Sequence, residues 1–166
     1  MKSFSGTYSV LIAQAHPDIT CTVLDLPEVV AVAEDLIAEQ GMADRVTTLA
    51  GDYHTASFPS GLDAVLFFGM LHQESPEAIA GLLGRAREAV RPGGAVYVMD
   101  MMTDPSRTAP KFSALFAVNM ALTTAHGWVF SDADLRGWME AAGFGAVTIT
   151  PLAPPMPHWL ASARKR

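Results

Sequence analysis

The run Leu62-Asp63-Ala64-Val65-Leu66-Phe67-Phe68-Gly69-Met70-Leu71-His72, taken with Arg91-Pro92-Gly93-Gly94-Ala95-Val96-Tyr97-Val98-Met99-Asp100, decides the fold. Each run is a short apolar stretch rich in β-branched and aromatic residues, the signature of a buried strand. Between them, Ser75-Pro76-Glu77 starts a helix, with proline at the first helical position and an acid beside it. Ile79, Leu82, Leu83, Ala86 and Val90 then fall on one stripe, and Arg91-Pro92-Gly93-Gly94 is predicted to stop the chain before a strand over Ala95–Asp100. A strand, a crossover helix and a second strand make a parallel pair. His72 and Asp100 then stand at or just past the carboxyl ends of neighbouring strands, the end at which open α/β sheets bind ligands.

Upstream, Tyr8, Leu11, Ile12 and Ala15 have helical spacing, and Ser5-Gly6-Thr7 is placed to cap that helix. The segment from Thr20 to Leu26 is a short strand closing on Asp25, a helix is predicted from Glu28 to Gln40, and a strand from Arg45 to Ala50 leads into Gly51-Asp52-Tyr53. Downstream, a helix is predicted from Phe112 to Thr123, another behind Ser131-Asp132-Ala133-Asp134, and strands over Phe144–Pro151 and His158–Ala163. The alternation gives an α/β fold, a Rossmann-like, doubly wound, mostly parallel sheet covered on both faces. Such folds normally open with a strand feeding a glycine-rich turn, but only Met1-Lys2-Ser3-Phe4 precedes Ser5-Gly6. The expectation is a sheet without its first, central strand, so that the strands ending at Asp25 and Phe68 either leave a gap or pair directly.

The totals narrow the function. With 166 residues, half of them hydrophobic, one domain spanning 1–166 is expected. The net charge is -6, and Arg164-Lys165-Arg166 is the one basic block, so the electrostatic footprint of a nucleic-acid binder is missing. No run approaches the ~20 apolar residues of a membrane span and no signal-peptide pattern opens the chain, which points to the cytoplasm. The lone Cys21, in an apolar alternating run, suits a reducing compartment and a structural thiol. His16, His54, His126 and His158 have no ligand spacing, so no metal site is assigned. Met99, Met101, Met102 and Met120 read first as core and second as the wall of a hydrophobic substrate pocket.

Asp25 and Asp52, each at or just past a strand end, can accept hydrogen bonds from a ribose hydroxyl or an adenine amino group; a helix cap or a solvated loop is the structural alternative. Together with Ser5-Gly6-Thr7-Tyr8-Ser9, His16-Pro17-Asp18, Val23-Leu24-Asp25-Leu26-Pro27, Gly51-Asp52-Tyr53, Leu71-His72, Arg91-Pro92-Gly93-Gly94 and Ala142-Gly143-Phe144, the chain resembles the catalytic domain of the S-adenosylmethionine-dependent O-methyltransferases. That family includes plant caffeate and flavonoid enzymes and bacterial polyketide and pigment enzymes. The likeness runs from the start of the chain to about residue 150. It implies S-adenosyl-L-methionine as cofactor, with Gly6 the last glycine of the cofactor loop, Asp25 and Leu26 at the ribose, Asp52 and Tyr53 at the adenine, and Phe68 and Gly69 also lining the site. It makes His72 the general base and Asp100 the carboxylate that steers it. Met70, Phe116, Asn119, Met120 and Trp128 are assigned to the acceptor, the last four with ordinary core as their alternative. The chain departs from the family pattern at three places: a cofactor-reaching lysine falls on Phe68, the acid after the histidine is Gln73, and a second carboxylate falls on Val129. The likeness also implies an N-terminal helical dimerisation domain ahead of the matched region, so the 166 residues alone are expected to be a monomer or a weak association.

His72 suits the chemistry on its own terms. A phenol or alcohol oxygen is a good nucleophile only as its proton leaves, histidine titrates near neutral pH, and a carboxylate on its other ring nitrogen fixes the tautomer. A polar residue that merely begins the next helix is the bland alternative. The expected function is methyl transfer to a hydroxyl of a small aromatic or polyketide-like acceptor. The second reading is a non-catalytic domain that binds cofactor weakly or serves as an association module.

Overall fold

The computed structural model describes residues 6–166. The capping role expected of Ser5 lies outside the described residues. Two compact units form, one up to Ser57 and one from Phe58 to Arg166.

In the first unit, helix α1 (Thr7–Ala15) precedes strand β1 (Cys21–Asp25), helix α2 (Pro27–Glu39) and strand β2 (Val46–Ala50). Proline at the first position of α2 and Glu28 in its first turn start that helix as the sequence predicts. The two strands are parallel, in register from Cys21 opposite Val46 to Asp25 opposite Ala50. Val10, Ala13, Ala33, Ile37 and Val46 make the core, with Cys21, Val23 and Met42 packed on it. Burial pushes the Cys21 thiol above its ordinary value, the behaviour of a packing residue rather than a nucleophile. Gly6 starts α1 in the left-handed region at φ 85°, where a side chain would be strained. The Arg45 guanidinium donates to the carbonyls of His16 and Pro17 at 3.1 and 3.0 Å and so ties down the turn between α1 and β1.

The second unit contains β3 (Leu62–Phe68), α3 (Pro76–Ala89), β4 (Val90–Asp100), α4 (Lys111–Thr123), α5 (Asp132–Ala141), β5 (Phe144–Pro151) and β6 (Trp159–Lys165). Its sheet has the order β3-β4-β6-β5. β3 and β4 are parallel, as a helical crossover requires, but β6 runs antiparallel to both its neighbours. The mostly parallel expectation therefore holds for β1–β2 and β3–β4 and gives way at the C-terminal strands. Residues 152–158 are too few for a crossover, so β6 must return antiparallel to β5. The strands ending at Asp25 and Phe68 belong to separate sheets.

The predicted stop at Arg91-Pro92-Gly93-Gly94 is a bulge instead. Helix α3 ends at Ala89 and β4 starts at once, with Leu62 opposite Val90 and Ala64 opposite Ala95, so the intervening residues of β4 arch out of the ladder. At Gly94 an added Cβ would lie 2.9 Å from the Arg91 carbonyl and 3.1 Å from that of Asp63. Gly94→Ala is expected to cost about 1–3 kcal/mol, the usual cost of overpacking against atoms that cannot move aside, read as a lower midpoint in denaturant unfolding.

Ile79, Leu82, Leu83 and Ala86 of α3, Leu135 and Met139 of α5, and Val96 and Val98 of β4 build the core. Met99, Met101, Met102 and Met120 are buried too. Helix α5 opens with a capping box in which Ser131 and Asp134 satisfy each other's backbone N–H groups. Among the described residues no helix is long and apolar enough to cross a membrane, and no group of acidic, histidine and cysteine side chains could hold a metal ion.

Candidate functional site

Parallel pairing of β3 with β4 carries their carboxyl ends to one edge, and the chain leaves β3 through Gly69 at φ 66°, its N–H donating to the Met99 carbonyl at 2.7 Å. A single 3₁₀ turn over Leu71–Gln73 follows, anchored by the fully buried Leu71, and it turns His72 toward the end of β4. There Asp100 is wholly buried. Asp100 Oδ1 lies 2.7 Å from His72 Nδ1 and accepts the Met101 N–H at 2.8 Å, while Oδ2 accepts the His72 backbone N–H at 3.2 Å.

A carboxylate oxygen accepts, so in the neutral imidazole the tautomer that suits this bond has its proton on Nδ1 and the lone pair on Nε2. The His72 side chain is 13% exposed and that of Asp100 1%. The low dielectric around such a buried pair strengthens the bond. Phe116 of α4 sets its ring edge-on to the imidazole, with centroids 5.2 Å apart at 75°. The arrangement is a fixed imidazole with one basic nitrogen directed away from its carboxylate.

The other residues expected at the acceptor divide. Met70 is half-buried next to the turn, whereas Asn119 is exposed and Met120 is buried. Trp128 is half-buried; its indole N–H donates to the Glu74 carbonyl at 2.9 Å, and its ring meets those of Phe130 and Trp138 edge-on. Val129, where the resemblance places a second carboxylate, is buried and apolar, and the carboxylate bonded to His72 is that of Asp100.

In the first unit, Asp25 closes β1 half-buried, and one of its oxygens accepts the Leu26 N–H at 2.9 Å. Gly51 follows β2 and donates to the Asp25 carbonyl at 2.9 Å, which sets Asp52 and Tyr53 just beyond the same edge of the two-stranded sheet. Carboxylates at that edge are the acceptors a ribose diol and an adenine amino group need, and this set of acceptors fits a nucleoside-bearing cofactor. His54, an exposed loop residue, bonds to Asp52. Its ring Nδ1 and its backbone N–H both lie 2.8 Å from Asp52 Oδ1, and its ring packs against Tyr53 with centroids 4.4 Å apart. The adjacency in Asp52-Tyr53-His54 was the available signal, since an acid commonly accepts from the residue two positions on.

Comparison with known proteins identifies the family of the chain. The family model of the O-methyltransferase domain matches residues 5–145. A curated L-tyrosine C(3)-methyltransferase of Streptomyces lavendulae is 34% identical over 95% of this chain and 44% of its own length. A 3-hydroxy-5-methyl-1-naphthoate 3-O-methyltransferase of Streptomyces sahachiroi is 32% identical over 91% of this chain and 44% of its own. The crystal structure of the S-adenosylmethionine-dependent methyltransferase SibL, in its apo form, superposes with a TM-score of 0.88 at 39% identity, covering 98% of this chain and 48% of that one. The chain thus spans about half the length of the curated relatives it matches. On the family match, which takes in both strand-end acids of the first unit and the His72–Asp100 pair, the chain belongs to the O-methyltransferase domain family.

Proposed function

We propose that this chain supplies the cofactor-holding and proton-accepting residues of an S-adenosyl-L-methionine-dependent O-methyltransferase acting on a hydroxyl of a small aromatic or polyketide-like molecule. The observation that carries the reading is the 2.7 Å bond between His72 Nδ1 and the buried Asp100, at the ends of two parallel strands. Bound S-adenosyl-L-methionine supplies an electrophilic methyl group. In the first unit, Asp25 accepts from the ribose hydroxyls beside Leu26, with Gly6, Asp52 and Tyr53 about the nucleoside. His72 Nε2 takes the acceptor's hydroxyl proton as the oxygen becomes nucleophilic, and Asp100 stabilises the imidazolium that forms. Met70 and Phe116 present apolar surface to the acceptor, whose flat ring suits such a wall.

A second acceptor atom has a specific observation in its favour, the relative from Streptomyces lavendulae that is named for methylating a carbon of tyrosine. A phenol that has lost its proton spreads charge to its ortho carbons, so the same base serves transfer to oxygen or to carbon. Product identification by mass and proton NMR after incubation with a panel of phenols separates the two.

Calorimetric titration of the chain with S-adenosyl-L-methionine tests the cofactor reading first. Micromolar binding is expected, and absence of heat and of competition by the demethylated product would overturn it. Asp25→Ala should weaken that binding by roughly tenfold to a hundredfold, the loss that goes with hydrogen bonds to a charged acceptor.

A further inference from the structure

The segment from Gly127 to Asp132 bonds on one side to the turn that carries His72 and on the other to the residues that follow Asp100. On the first side, the Trp128 backbone N–H donates to the His72 carbonyl at 2.9 Å and its indole N–H to the Glu74 carbonyl at 2.9 Å. On the second, Thr103 N–H donates to the Phe130 carbonyl at 3.1 Å, Asp132 N–H donates to the Thr103 carbonyl at 3.0 Å, and Thr103 and Ser131 form a parallel bridge. Gly127 makes the approach possible, because an added Cβ would stand 3.2 Å from the His72 carbonyl and would collide with the Thr124 hydroxyl.

We infer that this segment is a strap that holds His72 and Asp100 in register, and that Trp128 is its positioning residue rather than a wall of the acceptor pocket. A short 3₁₀ turn has few internal bonds of its own, so the bonds of His72 to Asp100 hold best when the turn itself is tied down. The two Trp128 donors take the carbonyls on either side of Gln73 and fix that turn. The indole is held in its turn by ring contacts with Phe130 and Trp138, and by the Arg107 guanidinium, which lies 5.1 Å over the ring and pairs with Asp134 at 2.9 Å. Arg107 adopts φ 62°, and it does so at the point where the loop after β4 meets α5.

Trp128 bears on catalysis through His72 and so rests on the proposed base; activity of a His72 variant decides that role separately, whereas the test below reads geometry without turnover. Hydrogen exchange of the His72 Nδ1–H, followed by NMR in the full chain, is the readout. Trp128→Phe keeps a ring in place and removes the indole donor. It is expected to speed that exchange about three- to tenfold, the opening that one lost hydrogen bond allows. Trp138→Phe, which touches the same cluster without a bond to the turn, should lower stability yet leave the Nδ1–H rate unchanged. In the unsubstituted chain, the Trp128 amide and indole protons and the His72 Nδ1–H should open together as one unit across a denaturant series. Equal exchange in Trp128→Phe and wild type, an acceleration as large in Trp138→Phe, or Trp128 protons that open independently of the imidazole would each overturn the assignment.

Discussion

Replacing His72 by alanine is expected to lower methyl transfer by about 10²–10⁴-fold, the span that a positioned general base contributes. The loss should fall on kcat, with S-adenosyl-L-methionine affinity in calorimetry unchanged. The fold should survive, because the buried Asp100 still accepts the backbone N–H groups of residue 72 and Met101 after the imidazole is gone. Residual activity of the variant should rise with pH toward the ionisation of the acceptor itself, about 10 for a phenol. A variant with the wild-type rate would remove His72 from the mechanism and leave proximity as the source of catalysis.

Asp100→Asn is expected to damage both stability and rate, and for one reason. The carboxylate accepts three N–H groups, the imidazole and Met101 on one oxygen and the His72 backbone on the other. An amide in the same place has one acceptor and one donor, so a buried donor must face a donor whichever way it is turned. That mismatch costs about 1–3 kcal/mol, the desolvation of an unpaired buried group, and should appear as a lower midpoint in denaturant unfolding. An amide turned so that its nitrogen faces Nδ1 favours the wrong tautomer, and kcat should fall by roughly a hundredfold or more, as it does when an acid behind a catalytic histidine is neutralised. Unchanged kcat would show that the carboxylate acts on packing alone.

Periodicity made β3, α3 and β4 legible, and with them the meeting of His72 and Asp100. Two parallel strands of one crossover end at the same edge, so polar residues at both ends must be neighbours. The C-terminal order was less accessible, since the apolar alternation of Trp159–Lys165 says that a strand exists and not which strands flank it. Arg91-Pro92-Gly93-Gly94 reads as a stop in any local scheme, and only the neighbouring ladder turns it into a bulge. Trp128 has the composition of a pocket wall, but its two donors reach carbonyls more than fifty residues away, a link no local pattern carries.

The place of β6 in the sheet has a consequence for how the chain is made. The strand latest in the described chain lies between β4 and β5 and bonds to both. During synthesis β3, α3 and β4 emerge first and can pair, but β4 and β5 have no ladder to share until residues up to Lys165 have left the ribosome. Until then both strands present open edges, the feature most prone to pairing with another nascent chain. Closure of this sheet therefore waits on a strand that follows both of its neighbours in the chain, and that strand protects the middle of the sheet.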